Sequence, residues 1–315
     1  MTTDKRIIET VNFYLDNGED LTLEQFGVSS ETLHRYKRAY KKSAEDFELK
    51  NDLRKIKENY TEAELKTMAK GGGFHNNHHT RVIDFDGKEV TFGFMTDTHI
   101  GSEAFNPDYM RAAFKEFDKQ KCDFWMHAGD LVEGMSNRAG HIYECTHLGY
   151  EQQKNYAIEL LSETELPGYL IDGNHDRWYI KSGNTGALIV KDICQQFDNL
   201  TFLGHDEGDL VINGVTIKLW HGEDGSSYAI SYRLQKLAES FTGGEKPQLL
   251  LAGHVHKMGY FFIRNIHMIS GGAIQKQSAW MRRTKKASHT GFWIVKMCLG
   301  DDEIKWIEPR FYPFY

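Results

Sequence analysis

Apolar residues recur along this chain at two different spacings, and the change from one to the other falls near residue 80. Before it, the spacing is helical. Arg6-Ile7-Ile8-Glu9-Thr10-Val11-Asn12-Phe13-Tyr14-Leu15 sets apolar side chains three and four apart and stops at Asn17-Gly18. Leu21–Phe26 forms a short element that breaks at Gly27. Ser29-Ser30 then caps a further helix, with Glu31 placed well for its dipole. After residue 80 short apolar runs alternate with helical stretches. Val82–Phe85 and Val90–Met95 are strand-like and joined by an Asp86-Gly87 turn, which predicts a hairpin. Helices are predicted at Met110–Phe117, Tyr150–Leu161, Ala187–Phe197 and Ile230–Ser240. Strands are predicted at Phe124–Met126, Gly168–Ile171, 201–203, 209–212, 215–220 and Leu249–Ala252, and hairpin-like strands at 259–263, 266–269, 291–297 and 303–308. An alternating first half followed by a β-rich second half predicts an α/β fold of two packed mixed β-sheets flanked by helices, with a small all-α domain in front.

In the helix after Ser29-Ser30, Leu33, Tyr36 and Tyr40 share one face, and Arg35, Arg38 and Lys42 lie on the opposite one. Helix, glycine turn and capped helix with a basic outer face resemble a DNA-binding helix-turn-helix module. The alternative is a helical bundle with a solvated basic face. Arg35, Arg38 and Lys42 are thus the candidate DNA contacts of a helical domain spanning residues 1–70. Residues 44–70 are highly charged, and Thr61-Glu62-Ala63-Glu64 matches a capping box. Gly71-Gly72-Gly73 ends the helical region. Residues 71–80 form a Gly/His-rich linker in which His75, His78 and His79 read as surface residues rather than ligands, and residues 81–315 form the second domain.

Composition narrows the setting. The chain has 315 residues, 40% hydrophobic and 13% aromatic, enough for a packed core. No apolar stretch approaches the roughly 18 residues that suggest a membrane span. The N-terminal segment lacks the apolar region of a secretory signal. Cys122, Cys145, Cys194 and Cys298 lie far apart with no CxxC pair, which predicts reduced thiols and a cytoplasmic protein. The formal net charge of -7 argues against a protein that coats nucleic acid broadly. It leaves room for a local basic patch, because metal ions add charge that residue counting omits.

The chemistry lies in five short segments: Asp97-Thr98-His99, Gly129-Asp130, Gly173-Asn174-His175-Asp176, His221-Gly222 and Gly253-His254-Val255-His256. Each supplies oxygen or imidazole nitrogen, and most follow an apolar strand-like run. Open α/β sheets build their sites at such strand ends. Each piece alone is a common turn or a structural histidine; together they suit a pair of divalent cations, which can bind phosphoryl oxygens and generate hydroxide. The donors are carboxylate, amide and imidazole, with no thiolate, which suits manganese, iron or zinc rather than a structural zinc site.

The order D-x-H, GD, GNH(D/E), H, GHxH resembles the calcineurin-like metallophosphoesterase superfamily, with every element present across roughly residues 90–260. The resemblance implies that Asp97, His99 and His256 hold one metal, that Asn174, His221 and His254 hold the second, and that Asp130 bridges them. It implies a shared hydroxide as nucleophile and His175 as proton donor to the leaving oxygen. Asp176 would orient His175; its simple alternative is a loop cap. Manganese is the expected metal, since nuclease members of the superfamily use it.

Substrate is less constrained. Arg138 and His141, in the loop after Asp130, are candidate phosphate contacts, with a surface-loop role as the alternative. Arg177 is another, and Trp178 is a candidate for base stacking or for the core. Trp280-Met281-Arg282-Arg283-Thr284-Lys285-Lys286 is a basic run with one aromatic, suited to a nucleic-acid backbone or to a solvated loop. The stretches Ser231–Lys236, Gly253–Lys257 and Gly271–Ser278 look like DNA-repair-exonuclease-type members, among them the exonuclease subunit of archaeal replicative polymerases. The expectation is a two-metal DNA phosphodiesterase with DNA as substrate and no membrane partner. The alternatives are an enzyme for a small nucleotide or cyclic nucleotide, or a DNA-binding protein with an inactive phosphoesterase scaffold.

Overall fold

The computed structural model describes residues 3–40, 80–181, 187–223, 229–242, 246–300 and 302–315. The chain divides into two compact units, Met1–Asn76 and Asn77–Tyr315.

In the first unit, helices Thr3–Asn17 and Glu19–Phe26 precede a helical stretch over residues 30–40. Gly27 ends the second helix with φ 60°, a left-handed conformation that glycine adopts without a Cβ clash. Ser29 Oγ accepts the backbone N–H of Thr32 at 3.1 Å and opens the next helix. Val11 and Leu33 are buried, Phe13 meets Phe26 edge to face, and Arg35 and Arg38 are exposed. Lys42, the Thr61–Glu64 capping box, the triple glycine and the linker histidines lie outside the described residues.

The second unit is a sandwich of two six-stranded mixed sheets. Its strands are β1 (Thr80–Ile83), β2 (Glu89–Met95), β3 (Phe124–Ala128), β4 (Gly168–Asp172), β5 (Leu200–His205), β6 (Glu207–Ile212), β7 (Val215–Trp220), β8 (Leu249–Ala252), β9 (Met258–Ile263), β10 (Ile266–Gly271), β11 (Gly291–Leu299) and β12 (Ile304–Pro313). One sheet has the order β12-β11-β2-β3-β4-β5, with β2 to β5 parallel. The other has the order β1-β6-β7-β8-β10-β9, with β7, β8 and β10 parallel.

Apolar side chains fill three layers. Phe92, Phe94, Met126 and Ile171 meet Leu210, Ile217, Leu249 and Ile269 between the sheets. Met95, Trp125 and Leu170 pack outward against Phe117 and Leu161, from helices Pro107–Lys119 and Gly149–Leu161. Helix Tyr232–Ser240 covers the other sheet through Leu234 and Ala238. β3 and β4 are buried throughout, as central parallel strands must be, and so read as continuous apolar runs. Gly93 makes room for the Phe117 ring: a Cβ there would lie 2.4 Å from it.

The expected hairpin across Asp86-Gly87 does not form. β1 pairs in parallel with β6, at the edge of one sheet, while β2 enters the centre of the other. Asn213 holds the crossing, accepting from the N–H of Phe85 and donating to its carbonyl at 3.2 and 2.7 Å. β2 is apolar on both faces and gains most burial between β3 and β11; β1 is largely exposed and suits an edge. The later hairpins do form. β9 turns into β10 through Arg264 and Asn265, both at positive φ, and β11 pairs antiparallel with β12. The helix expected over 187–197 contracts to Ile189–Cys194. Among the described residues no helix is long and apolar enough to cross a membrane.

Candidate metal centre

The C-terminal ends of β2, β3, β4, β7 and β8 bring all five motif segments together. Asp97 Oδ1 lies 3.2 Å from His256 Nε2 and 4.0 Å from His99 Nε2. The two imidazole nitrogens are 3.2 Å apart. On the other side, His221 Nε2 is 3.2 Å from Asp130 Oδ2 and 3.1 Å from Asn174 Oδ1. Asp130 Oδ2 is also 3.8 Å from His99 Nε2, so this carboxylate stands between the two groups. Asp97, His99 and His256 form one cluster with convergent donor atoms and Asp130, His221 and His254 another; His99 also converges with Glu133 and His175.

The backbone bends sharply to achieve this. Asp97, His99, Asp130, His254 and His256 all adopt positive φ, between 51° and 78°. Non-glycine residues take that conformation at a cost and hold it where surrounding contacts over-determine it, as functional sites do. Those contacts are present. His254 N–H donates to both Asp97 oxygens at 3.0 Å, and Thr96 Oγ1 donates to Asp97 Oδ2 at 2.8 Å. His175 N–H donates to Asp130 Oδ1 at 2.8 Å. Gly173 is packed so tightly that a Cβ would lie 2.3 Å from that same oxygen.

The donor set fits cations. Asp97 and Asp130 are fully buried carboxylates, and both stay ionised: burial opposes their charge, but the facing imidazoles (His256 for Asp97, His221 for Asp130) hold each below the usual range. Burial likewise opposes charge on His99, yet the Glu133 carboxylate, Asp130 and Asp97 raise it to about 9. His221 also rises to about 9, against burial, through Asp130 and Asp97. The pocket therefore stabilises positive charge strongly. His99 Nδ1 and His221 Nδ1 are anchored to Glu133 Oε2 (2.9 Å) and the Ala128 carbonyl (2.7 Å), which leaves each Nε2 turned toward the carboxylates. Such anchoring of a second ring nitrogen fixes tautomer and direction for metal binding.

Asp176 does not reach the His175 ring. Its carboxylate accepts the N–H groups of Leu131, Val132 and Gly173 at 3.1, 2.9 and 2.8 Å. It ties the Asp130 loop to the Asn174 loop, the capping alternative. Burial pushes this acid up to about 7, and the Asp130 charge adds to the shift. The His175 ring is held instead by the Glu133 carbonyl, which accepts from Nδ1 at 2.8 Å, and by Trp178, whose ring lies 3.8 Å away. Trp178 is half-buried and supports His175.

The candidate phosphate contacts are engaged within the protein. His141 is buried, with Nε2 on Glu133 Oε1 at 2.9 Å and Nδ1 accepting the Ser136 N–H. Arg138 grips Glu144 with both terminal guanidinium nitrogens, Nη1 and Nη2. Arg177 is buried among Asp172, Asp206 and Glu223, bracing the chain beside His175. Buried cations need such partners, and short-range sequence patterns do not reveal them.

Glu133 is the residue that motif reading passes over. Its carboxylate joins His99 to His141, and its carbonyl holds His175. Its spacing, three residues beyond Asp130, is its only sequence signal. Arg233 is a second such residue: it donates to the carbonyls of His221 and Gly253 at 2.8 and 3.0 Å and lies over Trp220.

A family model for calcineurin-like phosphoesterases matches residues 90–258, and the chain belongs to that family. With its paired clusters it is a metal-dependent phosphoester hydrolase. Among curated proteins it is similar to the DNA polymerase II small subunit of Methanocaldococcus jannaschii, 25% identical over 250 residues, covering 62% of this chain and 40% of that protein. The corresponding subunit of Halobacterium salinarum is 24% identical over 235 residues, covering 61% and 45%. The chain spans about half the length of the curated relatives it matches. A solved structure described as a novel archaeal phosphodiesterase aligns with 71% of this chain and 100% of its own at 16% identity, with a TM-score of 0.42.

Proposed function

We propose that the protein is a two-metal phosphodiesterase acting on DNA, with manganese as the metal. The observation that carries this reading is Asp130 standing within 4 Å of both His99 and His221, which joins two donor clusters into one centre. Asp97, His99 and His256 would hold one ion, Asn174, His221 and His254 the other, and Asp130 both. When bound, two divalent cations supply the charge that draws in phosphoryl oxygens and acidifies water.

The chain's own residues do the rest. Buried Asp97 and Asp130 keep the pocket anionic, so it selects cations. His175 donates Nδ1–H to the Glu133 carbonyl, which leaves Nε2 free to take up a second proton and, as imidazolium, to give that proton to the leaving oxygen. Arg177, held by three carboxylates, fixes the backbone that presents His175.

DNA as substrate rests on two supports: the similarity to subunits named for a DNA polymerase, and the exposed Arg35 and Arg38 of the helical unit. A cytoplasmic setting is supported by four free thiols. The test is a substrate panel with and without Mn2+: single-stranded DNA, duplex DNA, bis(p-nitrophenyl) phosphate and cyclic nucleotides. Manganese-dependent DNA cleavage is expected. Turnover confined to nucleotides or small diesters would remove DNA and leave the enzyme class.

A further inference from the structure

The segment between β10 and β11 crosses from one sheet to the other beside the metal centre, and both of its ends are tied to that centre. At one end Gln275 N–H donates to the Asp97 carbonyl at 3.3 Å, and Gln275 Nε2 donates to Ser102 Oγ at 2.8 Å. At the other, His289 N–H donates to the His256 carbonyl at 2.7 Å, and His289 Nδ1 accepts from Met258 N–H at 3.0 Å. Asp97 and His256 belong to the same donor cluster. The crossover is therefore a loop whose two feet stand on two residues of one metal corner.

The loop carries Lys276, Arg282, Arg283, Lys285 and Lys286, and no acidic residue lies between Lys276 and Lys286. Among the described residues none of these five cations forms an ion pair. Lys276, Arg282, Arg283 and Lys285 are exposed. Lys286 lies over the half-buried ring of Trp280 at 4.4 Å, and Lys276 over Tyr109 at 5.2 Å. The backbone is nevertheless ordered: Ser278 caps helix Ala279–Arg283 by accepting the Met281 N–H, Lys286 N–H returns to the Met281 carbonyl, and buried Met281 anchors the turn.

A concentration of unpaired positive charge on a chain of net charge -7 offers a place for an external anion. The loop contrasts with Arg138 and Arg177, whose charges are consumed internally. We infer that the 276–286 loop binds the phosphates flanking the scissile one in a single DNA strand and so delivers that strand to the Asp97 corner. A repeating anion matches several cations better than one small phosphoester does, and each phosphate neutralised releases counterions. The inference deepens the DNA reading and rests on it.

The experiment uses the full chain and a fluorescent single-stranded oligonucleotide, with binding measured across a salt series for the unchanged protein, Arg282→Gln/Arg283→Gln/Lys285→Gln, and a charge-keeping control, Arg282→Lys/Arg283→Lys. Metal content and thermal midpoint check that each variant folds. The glutamine variant is expected to bind at least about tenfold more weakly at low salt. Its log–log salt slope should flatten by about 2, at roughly 0.7 per lost single-strand phosphate contact. The lysine control should keep most of the affinity. Unchanged affinity and slope in the glutamine variant would overturn the inference while leaving DNA as substrate. Polyglutamate displacing the oligonucleotide as well as unlabelled DNA does would point to an acidic protein partner and also overturn it. If the unchanged protein neither binds nor cleaves DNA but hydrolyses bis(p-nitrophenyl) phosphate, the DNA reading itself falls.

Discussion

Two stretches meet at the Asp97 corner and treat charge in opposite ways. In the first, the buried carboxylates of Asp97 and Glu133 are answered inside the protein: Asp97 by His254 N–H and His256, Glu133 by His99 and His141. In the 276–286 loop the cations face outward. The first stretch is built for the reaction, since any phosphoester reaching the metals meets the same pocket. The second, on the reading proposed above, holds the phosphates around the scissile one and so bears on choice of substrate. Damage to the first should therefore abolish turnover on every substrate, whereas damage to the second should depend on how many phosphates the substrate carries.

The sharpest break comes at Asp130. Chelation, or Asp130→Ala, should lower turnover of every phosphodiester by more than about 10³-fold, exceeding the roughly 10²–10³ of a single electrostatic contact. Metal analysis should show the variant losing bound ions, and Mn2+ should restore the chelated protein but not the variant. Activity surviving in chelator would mean that the Asp97–Asp130 pocket works without metal. His175→Asn comes next. If His175 carries a proton and holds no metal, as proposed, metal content should hold while turnover drops about 10²–10⁴-fold. Equal loss of metal would make His175 a ligand.

Glu133 sharpens the contrast further. Glu133→Gln keeps the shape but weakens the anchor on His99, and metal affinity should fall about 10–100-fold by titration. Its absence from the motif reading is instructive. That the five motif segments converge was legible because each is a local signal, a glycine or apolar run followed by Asp, Asn or His, and β8 falls where its run of Leu and Ala places it. Glu133 acts through His99, 34 residues away. Arg177 was open to reading as a phosphate contact because Glu223, 46 residues distant, comes beside it only in the fold. The β1–β2 hairpin failed for the same reason. Asp86-Gly87 is a competent turn locally, but β2 gains more between β3 and β11 than beside β1.

His127 tests the scaffold beneath the pocket. Its Nδ1 accepts the Gly129 N–H at 3.2 Å, which places the proton on Nε2, facing Thr98 Oγ1 at 3.2 Å; that hydroxyl donates to the Leu131 carbonyl. The ring thus joins the Asp97 and Asp130 loops. Burial presses its pKa down from 6.5 to about 3, only partly opposed by Asp97. Between those values the unfolded chain binds the extra proton, so the stability the neutral ring contributes is complete above about pH 6.5 and is lost as pH falls toward 3. His127→Gln should flatten the stability–pH slope in that window by about 1.4 kcal/mol per pH unit, one proton's worth. Denaturant titrations at several pH values would read it, and an unchanged slope would mean the ring is already protonated in the folded protein.

The smallest expected effect separates the helical unit from the loop. Arg35 and Arg38 are exposed like the loop cations, but they belong to the other compact unit. If they touch DNA, they add affinity without aligning the scissile bond. Arg35→Gln/Arg38→Gln should then weaken oligonucleotide binding a few-fold and flatten the salt slope by about 1.4 to 1.8 for two lost contacts. Turnover at saturating DNA should stay level, because the bound strand still reaches the same centre. A fall in saturated turnover would give the helical unit a part in positioning, and the division between gripping and delivering DNA would have to be redrawn.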